Sequence, residues 1–195
     1  MRLRLLGDSI AAGVGSTRQE DTLGPLLAAR LRAAGHHVDL RVHAVPGARS
    51  ADLKAQVRTA IAGGVDLAVI VIGANDLTRF VPAHVGAQQL HDAVADLRGA
   101  GAQVVVSTAP DLSVVAHVPP ALRTIVSTVS RDYAQAQLQA VIRAGGVVAH
   151  VERAVSARFA ADPALFAADR FHPSAAGYRV IAEALAPAVE AVLQA

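Results

Sequence analysis

The chain has 195 residues, of which 53% are hydrophobic and 17% charged, and its formal net charge is +2. This composition excludes a disordered protein, and the length suits one substantial core, so we expect a single domain over residues 1–195. The sequence has no cysteine, no tryptophan and no block of basic residues, which excludes thiolate catalysis and zinc–sulfur sites and argues against a nucleic-acid partner.

Short apolar runs alternate with longer amphipathic segments, a pattern typical of βα units around a parallel sheet. In chain order it predicts strand Arg2–Leu6, helix Thr22–Ala34, strand His37–Val42, helix Ser50–Ala62, strand Leu67–Ile72, helix Pro82–Arg98, strand Gln103–Ser107, helix Ala121–Ala144, strand Val147–His150 and helix Ser174–Leu193. We therefore predict an α/β fold, a single-domain three-layer α/β/α sandwich of flavodoxin-like type with a central parallel sheet of about five strands.

The longest apolar run is Leu67–Ile72, far shorter than the roughly 20 residues of a membrane helix. Arg2 and Arg4 are followed at once by Gly7, Asp8 and Ser9, which leaves no apolar stretch for a secretion signal. We therefore expect no membrane span and a cytoplasmic location.

Ligands of open parallel sheets bind beyond the carboxyl ends of the strands, so the turns after the strands are the places to search. The turns after the first three predicted strands read Gly7-Asp8-Ser9-Ile10, Val45-Pro46-Gly47-Ala48 and Gly73-Ala74-Asn75-Asp76. Taken singly, a serine, a glycine and an asparagine at these places are ordinary turn or cap residues.

Near the C terminus, Asp169 stands three residues before His172, just ahead of a predicted helix that Ser174 can cap. A carboxylate so close to an imidazole can fix its tautomer, which suits a general base. Alone, the pair fits a structural loop as well as a catalytic one.

These four segments together resemble those of the SGNH hydrolases, also called GDSL esterases and lipases. Their order, spacing and strand context match the family from Leu5 to the final helix, and Ile10 in place of the family's Leu is a mild departure. The resemblance implies the SGNH hydrolase fold and a serine esterase that forms an acyl-enzyme intermediate.

The resemblance also implies a role for each segment. Ser9 is the implied nucleophile, His172 the base and Asp169 the carboxylate that orients it. The N–H groups of Ser9 and Gly47 and the side-chain amide of Asn75 are the implied oxyanion-hole donors. Asp8 and Asp76 adjoin these positions, and we expect them to support the turns through hydrogen bonds. No cofactor is expected, because Gly13-Val14-Gly15 lacks the third glycine of a dinucleotide fingerprint. No metal is expected either, because the adjacent side chains of His36 and His37 diverge on a strand.

The expected substrate is a small carboxylic ester with a short to medium acyl chain. The loops Leu77–Val81 and Pro110–Pro120 supply apolar residues for the walls of its groove. Three alternatives remain open: deacetylation of a small carbohydrate or metabolite, thioesterase or lysophospholipase activity, and a non-catalytic binding module of the same fold. The sequence leaves the oligomeric state open.

Overall fold

A computed structural model describes residues 1–149 and 152–194. It contains one sheet of five parallel strands in the order β2-β1-β3-β4-β5. The strands are Arg2–Gly7 (β1), Asp39–Val42 (β2), Leu67–Val71 (β3), Gln103–Ser107 (β4) and Val147–Val148 (β5). The α-helices are Ser9–Ala12 (α1), Leu23–Ala33 (α2), Leu53–Ala62 (α3), Ala74–Thr78 (α4), Ala83–Gly99 (α5), Arg123–Arg143 (α6), Glu152–Ala161 (α7) and Ala175–Ala191 (α8).

Two hydrophobic cores cover the two faces of the sheet. Alternate residues of β3 point to opposite sides: Leu67 and Val69 join a cluster with α2 and α8, whereas Ala68 and Ile70 join a cluster with α3, α5 and α6. Burial on both faces explains why β3 is apolar throughout. The predicted three-layer α/β/α sandwich is confirmed.

The predicted elements differ from the observed ones mainly at their ends. The strand predicted over His37–Val42 begins at Asp39, and the one predicted over Val147–His150 is Val147–Val148, with His150 outside the described residues. Helix α7 is absent from the prediction. Among its residues whose side chains the structure describes, only Phe159 is buried, so the sequence carries little amphipathic signal there.

The strand order brings three turns to the same edge of the sheet. Because β1 lies between β2 and β3, the residues that follow these strands are neighbours at the carboxyl edge. Gly7 ends β1 at φ +133°, and a Cβ there would lie 1.9 Å from the carbonyl oxygen of Val71, so only glycine lets the two strand ends approach this closely. None of the helices in the described ranges is long and apolar enough to cross a membrane.

Candidate active site

A chain of hydrogen bonds joins three side chains at this edge. Nε2 of His172 lies 3.0 Å from Oγ of Ser9, and Nδ1 of His172 lies 2.6 Å from Oδ2 of Asp169. Both distances are within the range for a base that accepts the proton of a nucleophile and is held by a carboxylate. The structure thus brings together the first and last sequence segments, 163 residues apart.

Asp169 is held by its own loop. Its Oδ1 accepts hydrogen bonds from the backbone N–H groups of Phe171 and His172, at 3.0 and 2.9 Å. Desolvation raises the pKa of Asp169, but these bonds and the His172 side chain outweigh it and lower the pKa to about 2. The carboxylate therefore stays charged at neutral pH and can stabilise an imidazolium.

Ser9 is the first residue of α1, and its neighbours fix it there. Oδ1 of Asp8 caps the helix by accepting the N–H of Ile10 at 2.9 Å. The loop after α1 then packs against the histidine loop: a Cβ on Gly15 would lie 2.9 Å from Cβ of His172. The hydroxyl of Tyr178, buried on α8, donates to the carbonyl of Val14 at 2.7 Å. Gly15 and Tyr178 thus let the loop after Ser9 pack closely against the His172 loop and α8, and neither was predicted from the sequence.

The turns after β2 and β3 are joined to each other. Nδ2 of Asn75 donates to the carbonyl of Ala48 at 3.1 Å, next to Gly47. The two oxygens of Asp76 accept the N–H of Ser50 at 3.1 and 3.0 Å. An amide nitrogen carries two hydrogens, and the structure gives Nδ2 of Asn75 an acceptor for one of them. Within residues 1–149 and 152–194, the structure gives the second hydrogen no acceptor.

Gly47 lies in the same turn, exposed and at φ +82°. The N–H of Val45 donates to the carbonyl of Gly7 at 3.0 Å, which joins this turn to the end of β1, two residues before Ser9. Within the described ranges, no hydrogen bond joins Gly47 or Asn75 to Ser9. An oxyanion-hole role requires none, because the acceptor is an oxygen of the substrate.

Two buried glutamines support these turns, and neither was predicted from the sequence. Gln56 on α3 accepts the N–H of Gly7 at 2.7 Å and donates to its carbonyl at 2.9 Å. Gln137 on α6 accepts the N–H of Ala109 at 2.7 Å and donates to the carbonyl of Ile72 at 3.3 Å. The sequence does mark such residues, because each is polar at a helix position where the apolar pattern faces the core. Gln56, for example, lies on the buried face of α3 together with Leu53 and Val57.

A small apolar cavity opens beside Ser9 and His172. Its volume is about 80 Å³, and its walls include Leu112, Val115 and Phe159. The predicted loop Pro110–Pro120 therefore contributes to the wall, as expected. The predicted contribution of Leu77–Val81 is wrong for this cavity, because none of these residues lines it. Leu77 instead packs with Val118 and Val126 against Leu112 and Val115, which form part of the wall.

Asp8 is a buried carboxyl group next to Ser9. Its Oδ2 has no hydrogen-bond partner in the described structure, and the residue is 1% exposed. Burial raises the pKa of Asp8 to about 7, the carboxylate of Asp76 adds to the rise, and the Ile10 N–H opposes it. Tyr178 also faces this group, and burial together with Asp8 and Asp169 raises the pKa of its hydroxyl.

This carboxyl makes stability depend on pH. An unfolded aspartate has a pKa of about 3.9, so between about pH 4 and 7 the native protein retains a proton that the unfolded chain releases. The retained proton makes its full contribution to the free energy of unfolding below about pH 4. This contribution falls as the pH rises and is lost once the pH has passed about 7, the pKa in the folded protein. Replacing Asp8 by Asn keeps an oxygen for the helix cap and abolishes the charge.

We expect Asp8→Asn to gain stability relative to the parent as the pH rises. The Tm of the variant minus the Tm of the parent should be larger at pH 8.5 than at pH 5 by about 3 °C or more. Thermal unfolding followed by circular dichroism at both pH values checks this. Asp162→Asn is the matched control, because exposed Asp162 makes the same bond to an N–H two residues ahead. A Tm difference for Asp8→Asn that is equal at both pH values contradicts the expectation.

The sheet order and the polar side chains at its carboxyl edge define the class of this protein, the SGNH-type hydrolase fold. The model of the GDSL-like lipase/acylhydrolase family matches residues 5–180, and the chain belongs to that family. A curated GDSL-like esterase of Mycobacterium tuberculosis is 40% identical over 189 residues, which cover 95% of this chain and 60% of that protein. The chain thus spans about three fifths of the length of this relative.

Solved structures share the fold at low sequence identity. A psychrotrophic esterase from Pseudoalteromonas sp. superposes with a TM-score of 0.74 at 18% identity, covering 100% of this chain and 99% of that chain. An acetylxylan esterase from Geobacillus stearothermophilus gives a TM-score of 0.77 at 21% identity, covering 96% of this chain and 93% of that chain.

Proposed function

We propose that this protein hydrolyses small carboxylic esters through an acyl-enzyme intermediate. Ser9 is the nucleophile, His172 the general base and Asp169 the carboxylate that orients it. The observation that carries the proposal is the position of His172, whose ring nitrogens lie 3.0 Å from Oγ of Ser9 and 2.6 Å from a carboxylate oxygen of Asp169. Family membership supports the same reaction class.

The reaction follows from these contacts. His172 takes the hydroxyl proton as Oγ of Ser9 attacks the ester carbonyl, and it returns that proton to the leaving alcohol. Negative charge develops on the carbonyl oxygen, where the N–H groups of Ser9 and Gly47 and the amide of Asn75 stabilise it. Water then attacks the acyl-enzyme, again with His172 as base. The charged Asp169 stabilises the imidazolium in both steps.

The cavity beside Ser9 favours a short acyl group. About 10–15 Å³ of a cavity's volume is enough to hold one water molecule, so a cavity of about 80 Å³ admits a group of several heavy atoms. Further methylene groups stay outside it and do not contribute the roughly 0.8 kcal/mol that burial of each one supplies. The partner of the site is thus a small-molecule ester with a short acyl chain.

A panel of p-nitrophenyl esters from acetate to palmitate tests the reaction and the chain length together. We expect kcat/KM for acetate or butyrate to exceed that for palmitate at least about tenfold. Leu112→Ala widens the cavity and should move the preference toward longer chains, whereas Leu26→Ala, half-buried on α2, should leave it unchanged. A higher kcat/KM on palmitate refutes the chain-length proposal, and no turnover of any ester refutes the function.

A second cavity favours deacetylation of a larger hydroxylated compound as the second candidate. Its volume is about 590 Å³, it lies between α6 and α7, and it shares Asp111, Val114 and Ser156 with the cavity at Ser9. Its wall includes groups that hydrogen-bond to hydroxyls, such as Ser127 and Gln135. Adding an acetylated sugar to the panel tests this candidate, which requires a lower KM for the sugar than for p-nitrophenyl acetate.

A further inference from the structure

Phe80 is an exposed aromatic residue in a strained backbone conformation. It follows α4 with φ at +54°, and 91% of it is exposed. The N–H groups of Phe80 and Val81 donate to the carbonyls of Leu77 and Asp76, which is the helix ending that usually places glycine at this position. A bulky side chain with positive φ costs free energy, and at this exposure packing returns almost none of it.

Further exposed apolar residues lie at the start of α6. Leu122, Ile125 and Val129 are 48%, 62% and 51% exposed. Their spacing of three and four residues places them on one helix face, and this apolar face ends at Asp132. A small cluster joins α4 to α6 beneath this face, since Leu77 packs there with residues 118 and 126. The same cluster contains Leu112, a wall residue of the cavity at Ser9. This cluster connects the ends of α4 and α6 that carry the exposed apolar residues to the wall of the candidate active site, and we call this exposed surface its rim.

The segments that carry the rim contain no acidic residue between Asp111 and Asp132 or between Asp76 and Asp92. Arg79 and Arg123 are exposed there, and neither forms an ion pair within the described ranges. Exposed apolar side chains flanked by unpaired arginines are the chemistry of surfaces that insert shallowly among anionic lipid headgroups.

We propose that this rim docks on the surface of an anionic phospholipid membrane. The docking rim consists of Phe80, Leu122, Ile125, Val129, Arg79 and Arg123. Phe80 enters the boundary between headgroups and acyl chains, and the arginines contact the phosphates. Docking presents the cavity at Ser9 to the lipid surface. The proposal does not depend on ester hydrolysis, so it can be tested on the Ser9→Ala protein.

Co-sedimentation with vesicles tests the docking. The Ser9→Ala protein should sediment with phosphatidylglycerol vesicles, less with phosphatidylcholine vesicles, and less as salt rises. Adding Phe80→Ser should reduce partitioning onto phosphatidylglycerol on the order of tenfold. Adding Ile142→Ser should leave the partitioning unchanged. Ile142 is also exposed, at 57%, but it lies in the last turn of α6, at the other end of the helix from the rim residues.

Phe80→Gly separates docking from folding. Glycine accepts the positive φ without strain, so its Tm should equal or exceed that of the parent while vesicle binding is lost. Three results overturn the proposal: no sedimentation of the parent with phosphatidylglycerol at low salt, equal losses for Phe80→Ser and Ile142→Ser, or a concentration-dependent dimer that Phe80→Ser dissociates. The last result assigns the rim to a second copy of the chain.

Discussion

Replacing Ser9 or His172 by Ala is expected to lower kcat/KM for a p-nitrophenyl ester on the order of 10⁴-fold or more. Without Ser9 there is no Oγ to form the acyl-enzyme. Without His172, Oγ loses the ring nitrogen that lies 3.0 Å away and takes its proton in the proposed reaction. Because the two residues act as one unit, the double variant should lose about as much as either single variant.

His91→Ala is the matched control for this experiment. His91 also contacts a carboxylate, with Nδ1 3.1 Å from Oδ1 of Asp92, but it lies on α5 away from the cavity. Its activity should equal that of the parent, and circular dichroism should show all variants folded. Losses that multiply in the Ser9/His172 double variant contradict the proposed partnership.

Asn75→Ala is expected to lower kcat by about 10²–10³ with little change in KM. The amide donates to an oxygen that becomes negative only during the reaction, so its loss affects the transition state more than substrate binding. Asn75→Asp should be at least as damaging. A carboxylate there repels the oxyanion and also faces the carbonyl of Ala48, which now accepts a hydrogen bond from Nδ2.

If Asn75 has a purely structural role, Asn75→Asp should lose less activity than Asn75→Ala. The side chain would then only hold the turn after β2, and Asp would replace Asn better than Ala does, as it does in caps and turns. Measuring kcat and KM for both variants, together with their Tm, separates the two roles. A nearly active Asn75→Asp protein excludes the oxyanion role.

The sequence predicted the parts of the site that depend on local pattern. Ser9 and Asn75 directly follow apolar runs, and His172 precedes a helix that Ser174 does cap, so each could be placed at a strand or helix end. Their convergence required the strand order, which puts β1 between β2 and β3. The family resemblance implied that these residues form one site, but the order of the strands comes from the structure.

What the sequence did not predict depends on side-chain packing between distant segments. Gln56 and Gln137 occupy core-facing positions where periodicity predicts apolar residues, and only the backbone groups they bind explain them. The loop at Leu77 and Phe80 was predicted to line the groove because it is apolar. In the structure, Leu77 turns into a cluster with α6, and Phe80 turns to solvent.

Covalent labelling tests whether Ser9 is the residue that attacks the substrate. A fluorophosphonate reacts with an activated serine and leaves a stable adduct whose position peptide mass spectrometry identifies. We predict one adduct per chain on Ser9, slower labelling of Asn75→Ala, and none of Ser9→Ala. An active protein labelled at another residue, or one that remains unlabelled while it hydrolyses esters, contradicts the account.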